Sequence, residues 1–310
     1  MQRSTAWAII GLAVLVAAVV IAFLLFSQRP VEPAASPSAS VAPSASVAAS
    51  SELNAEMLER RWTVLFVGTD RNQRREEAGE GENADALLLA SLSADQSQLT
   101  LVSLPRDTVD LPLADGSTYE QKINQLYAEQ GIEALRGAME ALFDVPIDAH
   151  VVLDMDDLVA LVDAAGGVDV NPPEPLADPI VALDLQAGPQ ELDAATALAY
   201  VRTRVDEDYG RMRRQQEVIV SLVQRLTDPE RGIDVRSLID GLDSLETDLP
   251  LDELATLLEL GRRAGAAQVD NVLIEPPLIT FEGDRGDGRG YVLEADVEAI
   301  REEVSGRIGE

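Results

Sequence analysis

Four stretches of this sequence gather side chains capable of chemistry. Gly68-Thr69-Asp70-Arg71 closes an apolar run, and Asp85 stands immediately before another. Two carboxylates at neighbouring strand ends suit Mg²⁺, which takes one or two protein carboxylates and fills its shell with water and phosphate oxygens. The same pair also reads as two loop caps. Pro105-Arg106-Asp107-Thr108 follows a third apolar run, with Lys122-Ile123-Asn124 shortly after it. There Asp107 either orients Arg106 toward a ligand or merely pairs with it. Tyr200-Val201-Arg202-Thr203-Arg204 is the densest group, and an extended chain would turn both arginines to one side. Arg211, Arg214 and Gln215 follow at helical spacing on one stripe, with Arg213 pointing elsewhere, to solvent. Guanidinium forks grip phosphate oxygens in pairs, which an ammonium point charge cannot do.

These residues need a frame to hold them. Thr63 to Val67, Ala86 to Ala90 and Leu99 to Leu104 are short continuous apolar runs, the pattern of strands buried on both faces. The turn-rich Ser93 to Ser97 joins the last two as a hairpin. Gly131 to Phe143 has helical spacing. Val151 to Leu153 reads as a strand, Met155 to Val162 as a helix stopped by Gly166-Gly167, and Val168 to Val170 as a strand again. This strand–helix–strand unit argues for an α/β sheet. Asp193 is placed to cap a helix over Ala194 to Leu198. Further helices read over Arg211 to Leu226, Leu251 to Arg263 and Glu294 to Ile308. No second linker interrupts this region, so one large domain is expected, over 58–310.

Charge narrows the function. The 310 residues carry 24 Lys+Arg against 55 Asp+Glu, a formal charge of −31, which excludes broad binding to nucleic acid. No cysteine is present, so disulfides, thiolate metal sites and cysteine nucleophiles are excluded. His150 is the only histidine and reads as structural; Lys122 is the only lysine. Yet Tyr200 to Arg225 holds six arginines against four acids, and is locally positive. Either these arginines pair internally with Asp206, Glu207 and Asp208, or they hold a small buried anion.

Trp7 to Phe26 is a 20-residue run without charge, amide or hydroxyl, about 30 Å of helix and thus one bilayer core. No good cleavage site follows it, so a retained transmembrane anchor is expected over 7–26, with residues 1–6 as a short cytoplasmic end. Arg3 and the amino terminus lean the N-terminus toward the cytoplasm. Residues 27–57 begin as an Ala/Ser/Pro-rich tether that cannot bury a core.

In this order, Gly68-Thr69-Asp70-Arg71, Asp85, Ser103 to Thr108, Lys122-Ile123-Asn124, Leu161 to Val168, Ala197 to Arg204 and Arg211 to Gln216 resemble the LytR-CpsA-Psr family. The resemblance covers roughly Arg61 to Thr227. It implies a mixed β-sheet between helices, with an apolar tunnel for a lipid tail. It implies an extracytoplasmic phosphotransferase, anchored in the cell membrane, that moves a glycopolymer from a polyprenyl-pyrophosphate carrier onto peptidoglycan through a phosphodiester. Carried over by position, Asp70 and Asp85 would hold Mg²⁺, and Arg106 with Asp107 would be catalytic. Arg71, Lys122, Arg202, Arg204, Arg211 and Gln215 would contact the pyrophosphate.

One segment departs from the family pattern. Asn83-Ala84-Asp85-Ala86 replaces the usual Arg-Ser-Asp-Thr, and Glu76, Glu77, Glu80 and Glu82 crowd the loop before it. Negative charge beside a pyrophosphate costs affinity. Either Arg74 or Arg75 takes the missing role, or the site is altered. Two rival functions are therefore kept: a polyprenyl-pyrophosphate hydrolase using water, and a non-catalytic envelope protein that binds prenyl phosphate or glycan.

Overall fold

The computed structural model describes residues 53–70, 82–226 and 245–308. The expected span over 7–26 lies outside them, as do Arg71, Arg74 and Arg75. Among the described residues no helix is long and apolar enough to cross a membrane. Packing begins inside the segment read as tether: Asn54 caps a single turn, α1 (Ala55–Leu58), whose Met57 and Leu58 are buried.

The three apolar runs form β1 (Trp62–Thr69), β2 (Ala84–Leu92) and β3 (Gln98–Leu104), paired antiparallel in sequence order. Short β4 (Thr108–Val109), β5 (Leu111–Pro112) and β6 (Thr118–Tyr119) precede α2 (Ile123–Phe143). That helix starts earlier than its apolar spacing indicated and is kinked at Gly131, where φ is 81°. Next come β7 (Ala149–Leu153), α3 (Met155–Ala164) and four short strands: β8 (Val168–Val170), β9 (Leu176–Asp178), β10 (Leu183–Leu185) and β11 (Gln190–Leu192). The chain continues through α4 (Ala194–Arg202), α5 (Glu207–Leu226), β12 (Glu246–Thr247), α6 (Leu254–Ala264) and β13 (Gln268–Leu273). It closes with β14 (Ile279–Asp284), β15 (Tyr291–Ala295) and α7 (Val297–Ile308).

The central sheet runs β12-β7-β1-β2-β3-β13, with β7 parallel to β1 and β13 parallel to β3. It is mixed, as expected, but not for the expected reason. The strand–helix–strand unit does not close onto it: β8 pairs with β11 in a separate ribbon. Gly166 and Gly167, at φ 68° and 103°, turn the chain away after α3. A Cβ on Gly167 would lie 2.8 Å from the Leu192 carbonyl oxygen, so only glycine permits that turn. The strand β8 is then fastened to α5, where the Ser221 hydroxyl accepts from Asp169 N–H at 2.6 Å.

Helices cover both faces. One is packed by α3, α4, α5 and α6, the other by α2 and α7. Local chemistry sets their ends. Asp154 and Asp157 form a capping box on α3, and Asp193 accepts from Thr196 N–H at 2.8 Å to open α4. Glu207 and Asp208 stand at the positive end of α5. Glu294, read from spacing as helical, belongs to β15; Asp296 starts α7 instead, accepting from Ala299 N–H.

Candidate active site

Between the sheet and helices α3 to α5 lies a cavity of about 530 Å³. Most of its wall is apolar, from Phe66 and Leu88 on the sheet to Leu158, Leu198, Val218 and Leu222 on the helices. Its polar residues include Asp70, Asp85, Arg202, Arg204, Arg211 and Gln215.

Two carboxylates reach this wall by different routes. Asp70 directly follows β1, where its N–H donates to the Asn83 carbonyl and its Oδ1 accepts from Asn83 N–H at 3.0 Å. Asp85 owes its position to a β-bulge. Gly68 pairs with Ala86, but Thr69 pairs with Ala84, leaving Asp85 as the extra residue. Alternation would point Asp85 the same way as Leu87 and Leu89, into the opposite core. The bulge instead puts it beside Ala86 on the cavity wall and sends Ala84 into that other core. Gly68 permits the close approach, since a Cβ there would meet the Ala86 Cβ at 3.0 Å.

Arg106 binds Asp85 through Nη1 at 2.5 Å, and its Nε lies 3.6 Å from Asp107 Oδ2. Asp107 Oδ1 in turn accepts from Lys122 Nζ at 2.9 Å. Burial works against the Arg106 charge, yet Asp85 and Asp107 outweigh it and raise its pKa. Arg106, Asp107 and Lys122 therefore form a chain behind Asp85 and outside the cavity lining. Lys122 faces Asp107 instead of the cavity.

The arginines of α4 and α5 divide the work. The segment Tyr200 to Arg204 is not extended, as read from its alternation; α4 runs through Arg202 and the chain bends at Thr203. Arg202 and Arg204 still both line the cavity and are exposed at it. Arg211 and Gln215, one turn apart on α5, face the same space. Arg211 is only 4% exposed, and its Nη2 lies 3.3 Å from Asp208 Oδ2. Burial pushes its pKa down to about 10, opposed by Asp208 and reinforced by Arg204 and Arg106. Among the described residues the buried Arg211 Nε has no hydrogen-bond acceptor. An anion at the polar end would relieve both conditions.

A family model described as the LytR_cpsA_psr family matches residues 33–302. The chain belongs to the LytR-CpsA-Psr family. Its relatives include a polyisoprenyl-teichoic acid–peptidoglycan teichoic acid transferase, TagU of Enterococcus faecalis, 33% identical over 199 residues, 62% of this chain and 63% of that protein. TagU of Halalkalibacterium halodurans is 29% identical over 245 residues, 77% and 76% of the two chains. Among solved structures, Bacillus subtilis TagV aligns with a TM-score of 0.62 at 23% identity, covering 81% of this chain and 98% of that one. TagT bound to LIIa-WTA gives 0.63 at 21%, covering 82% and 93%. These two share the fold. The chain spans 63%, 57% and 64% of the lengths of the first three curated relatives it matches.

For the Mg²⁺ that the LytR-CpsA-Psr resemblance implies, the donors fit. Asp70 and Asp85 offer hard carboxylate oxygens from neighbouring strands on one cavity wall.

Sequence reading missed the residues that hold this LytR-CpsA-Psr site in shape. Arg214, on the same helical stripe as Arg211, is not at the cavity. It is 5% exposed and clamps the α4–α5 turn, donating to the Tyr200 and Thr203 carbonyls at 2.8 and 2.6 Å and to Asp206. Asp178 accepts from the Thr203 hydroxyl at 2.6 Å and from Ile180 N–H; these bonds hold its carboxyl below the usual range. The i, i+3 and i, i+4 spacings of Asp208 from Arg211 and Arg204 were visible signals. The reach of Asp178 across 25 residues was not.

Proposed function

We propose that this chain transfers a glycopolymer from a polyprenyl-pyrophosphate carrier to peptidoglycan. The observation that carries the reading is the amphiphilic cavity, an apolar chamber ending in arginines and two carboxylates. A prenyl tail fits the first part and a pyrophosphate the second. The names of the TagU relatives support the same reaction.

In the proposed reaction an acceptor hydroxyl oxygen attacks the glycan-side phosphorus. A new P–O bond forms, the P–O bond to the carrier phosphate breaks, and the hydroxyl proton is lost. The products are a glycan–peptidoglycan phosphodiester and prenyl monophosphate. Arg202, Arg204, Arg211 and Gln215 bind the pyrophosphate oxygens in this reading, and Arg106, aimed by Asp107 and Asp85, neutralises charge developing in the transition state. Mg²⁺ on Asp70 and Asp85, when bound, supplies further neutralisation of phosphate charge. Arg71 lies outside the described residues and keeps its proposed role as a pyrophosphate contact. The reading also places the domain outside the cell, tethered to the membrane through residues 7–26.

The test incubates the full chain in detergent with Mg²⁺, a saccharide-bearing prenyl pyrophosphate and peptidoglycan oligomers. Transfer that Arg106→Ala abolishes supports the proposal. Carrier binding without turnover at any metal concentration overturns it in favour of a binding protein. Cleavage of the pyrophosphate linkage by water, without glycan attachment, overturns it in favour of the hydrolase.

A further inference from the structure

Two of the chain's five tyrosines, Tyr209 and Tyr291, share one carboxylate. The Tyr209 hydroxyl donates to Glu282 Oε1, and the Tyr291 hydroxyl donates to Oε2 at 3.4 Å. Tyr291 is 54% exposed, unusual for a large ring in a chain with 4% aromatics. Register explains the contact: Tyr291 of β15 stands opposite Asp284 of β14, and Glu282 lies two residues back on that strand, hence on the same side.

The location ties this group to the site already described. β15 pairs parallel with β4, and Leu293 N–H donates to the Asp107 carbonyl at 3.1 Å. Tyr291 therefore sits on the strand fastened to the Arg106–Asp107 turn. Tyr209 occupies the first turn of α5, next to Asp208, the partner of Arg211. The strand of Tyr291 is thus bonded to the turn that carries Arg106, and the residue before Tyr209 pairs with Arg211.

We propose that Tyr209, Glu282 and Tyr291 form a saccharide-binding platform beside the transfer centre, a proposal that rests on the transferase reading above. Pyranose rings present C–H faces that stack on exposed aromatic rings, and hydroxyls that donate to an acceptor-only carboxylate. Charge selects the kind of sugar. Burial first, then Glu282 and the more distant Glu207, Asp208 and Glu275, raise the Tyr209 and Tyr291 pKa values. Asp208 is paired with Arg211 and Glu275 with Arg213, so Glu207 and Glu282 carry the platform's remaining negative charge among the described residues. A polyanionic polymer would be repelled there, whereas an uncharged N-acetylhexosamine chain would not. The acceptor glycan suits the platform better than an anionic donor polymer.

The test uses the full chain in detergent and calorimetry with three probes: an N-acetylglucosamine–N-acetylmuramic acid tetrasaccharide whose lactyl carboxyls are amidated and so uncharged, a bare prenyl pyrophosphate, and the same carrier bearing its saccharide. Tyr291→Ala should weaken the tetrasaccharide about tenfold and leave the bare carrier unchanged. Glu282→Gln, which keeps the side chain's shape, should weaken it in the same direction. Loss confined to the saccharide-bearing carrier overturns the acceptor assignment in favour of the donor sugar. Unchanged affinity for both sugars in both variants overturns the proposal, and so does loss of the bare carrier. If wild-type protein transfers nothing but its tetrasaccharide binding falls in Tyr291→Ala, the transferase reading fails and the platform stands.

Discussion

The central sheet has two faces built from equally apolar strands, yet one is packed solid around large side chains and the other leaves a chamber. Under α2 and α7, Leu65, Leu135, Met139, Leu142 and Phe143 are all fully buried. Under α3 to α5 a cavity stands between Phe66 and Leu88 of the sheet and Leu158, Leu198, Val218 and Leu222 of the helices. These side chains line about 530 Å³ of space instead of filling it. Mutations should therefore damage stability on one face and chemistry on the other.

The largest contrast comes from the cavity's polar end. Arg106→Ala should lower transfer about a thousandfold, as loss of a charge-neutralising arginine does in phosphoryl transfer, while unfolding stability falls by only about 1–3 kcal/mol as Asp85 and Asp107 lose their partner. An equal loss of stability would mean that Arg106 serves the fold. On the solid face, Phe143→Ala should cost about 3–5 kcal/mol in chemical denaturation. Measured at a temperature where the variant stays folded, its transfer rate should match wild type.

Val218→Phe sharpens the comparison from the hollow side. The added ring fills existing space, so stability should shift by less than about 1 kcal/mol, while carrier binding measured by calorimetry is lost. A large destabilisation with binding intact would show that the chamber is ordinary core. The smallest effect concerns α6, also on the hollow side. Arg262 and Arg263 hold the Glu259 carboxyl at about 2, below its usual 4.5. A depressed folded-state value stabilises above the unfolded value and is lost as pH falls through the folded one. Acidification from pH 4.5 to 2 should remove a contribution that solvent screening keeps below about 1 kcal/mol, and Glu259→Gln should abolish that part of the pH dependence.

The legible parts of the fold were those that local chemistry specifies. Continuous apolar runs located β1, β2 and β3, and the capping position of Asp193 located α4. The partners of β8 and β13 were not legible. Val168 to Val170 reads like a core strand but pairs with β11, and the partly polar Gln268 to Leu273 joins β3 in parallel across more than 160 residues. Such pairings depend on where the whole chain goes, not on the strand's own residues. The charged residues were legible as types and spacings, but their duties were not. Arg211 and Arg214 look alike in sequence; one faces the cavity and the other holds backbone carbonyls.

By itself the sequence determined which chemistry is available: carboxylates at strand ends, arginines in one segment, and no thiol. Residue type dictates charge and donor geometry wherever the residue lies. Only the tertiary structure decided which of these groups meet. Strand alternation assigns Asp85 to the same face as Leu87 and Leu89, deep in the solid core. One unpaired residue in the β1–β2 ladder reverses that assignment and brings the carboxylate to the cavity, because a bulge shifts every residue beyond it to the opposite face.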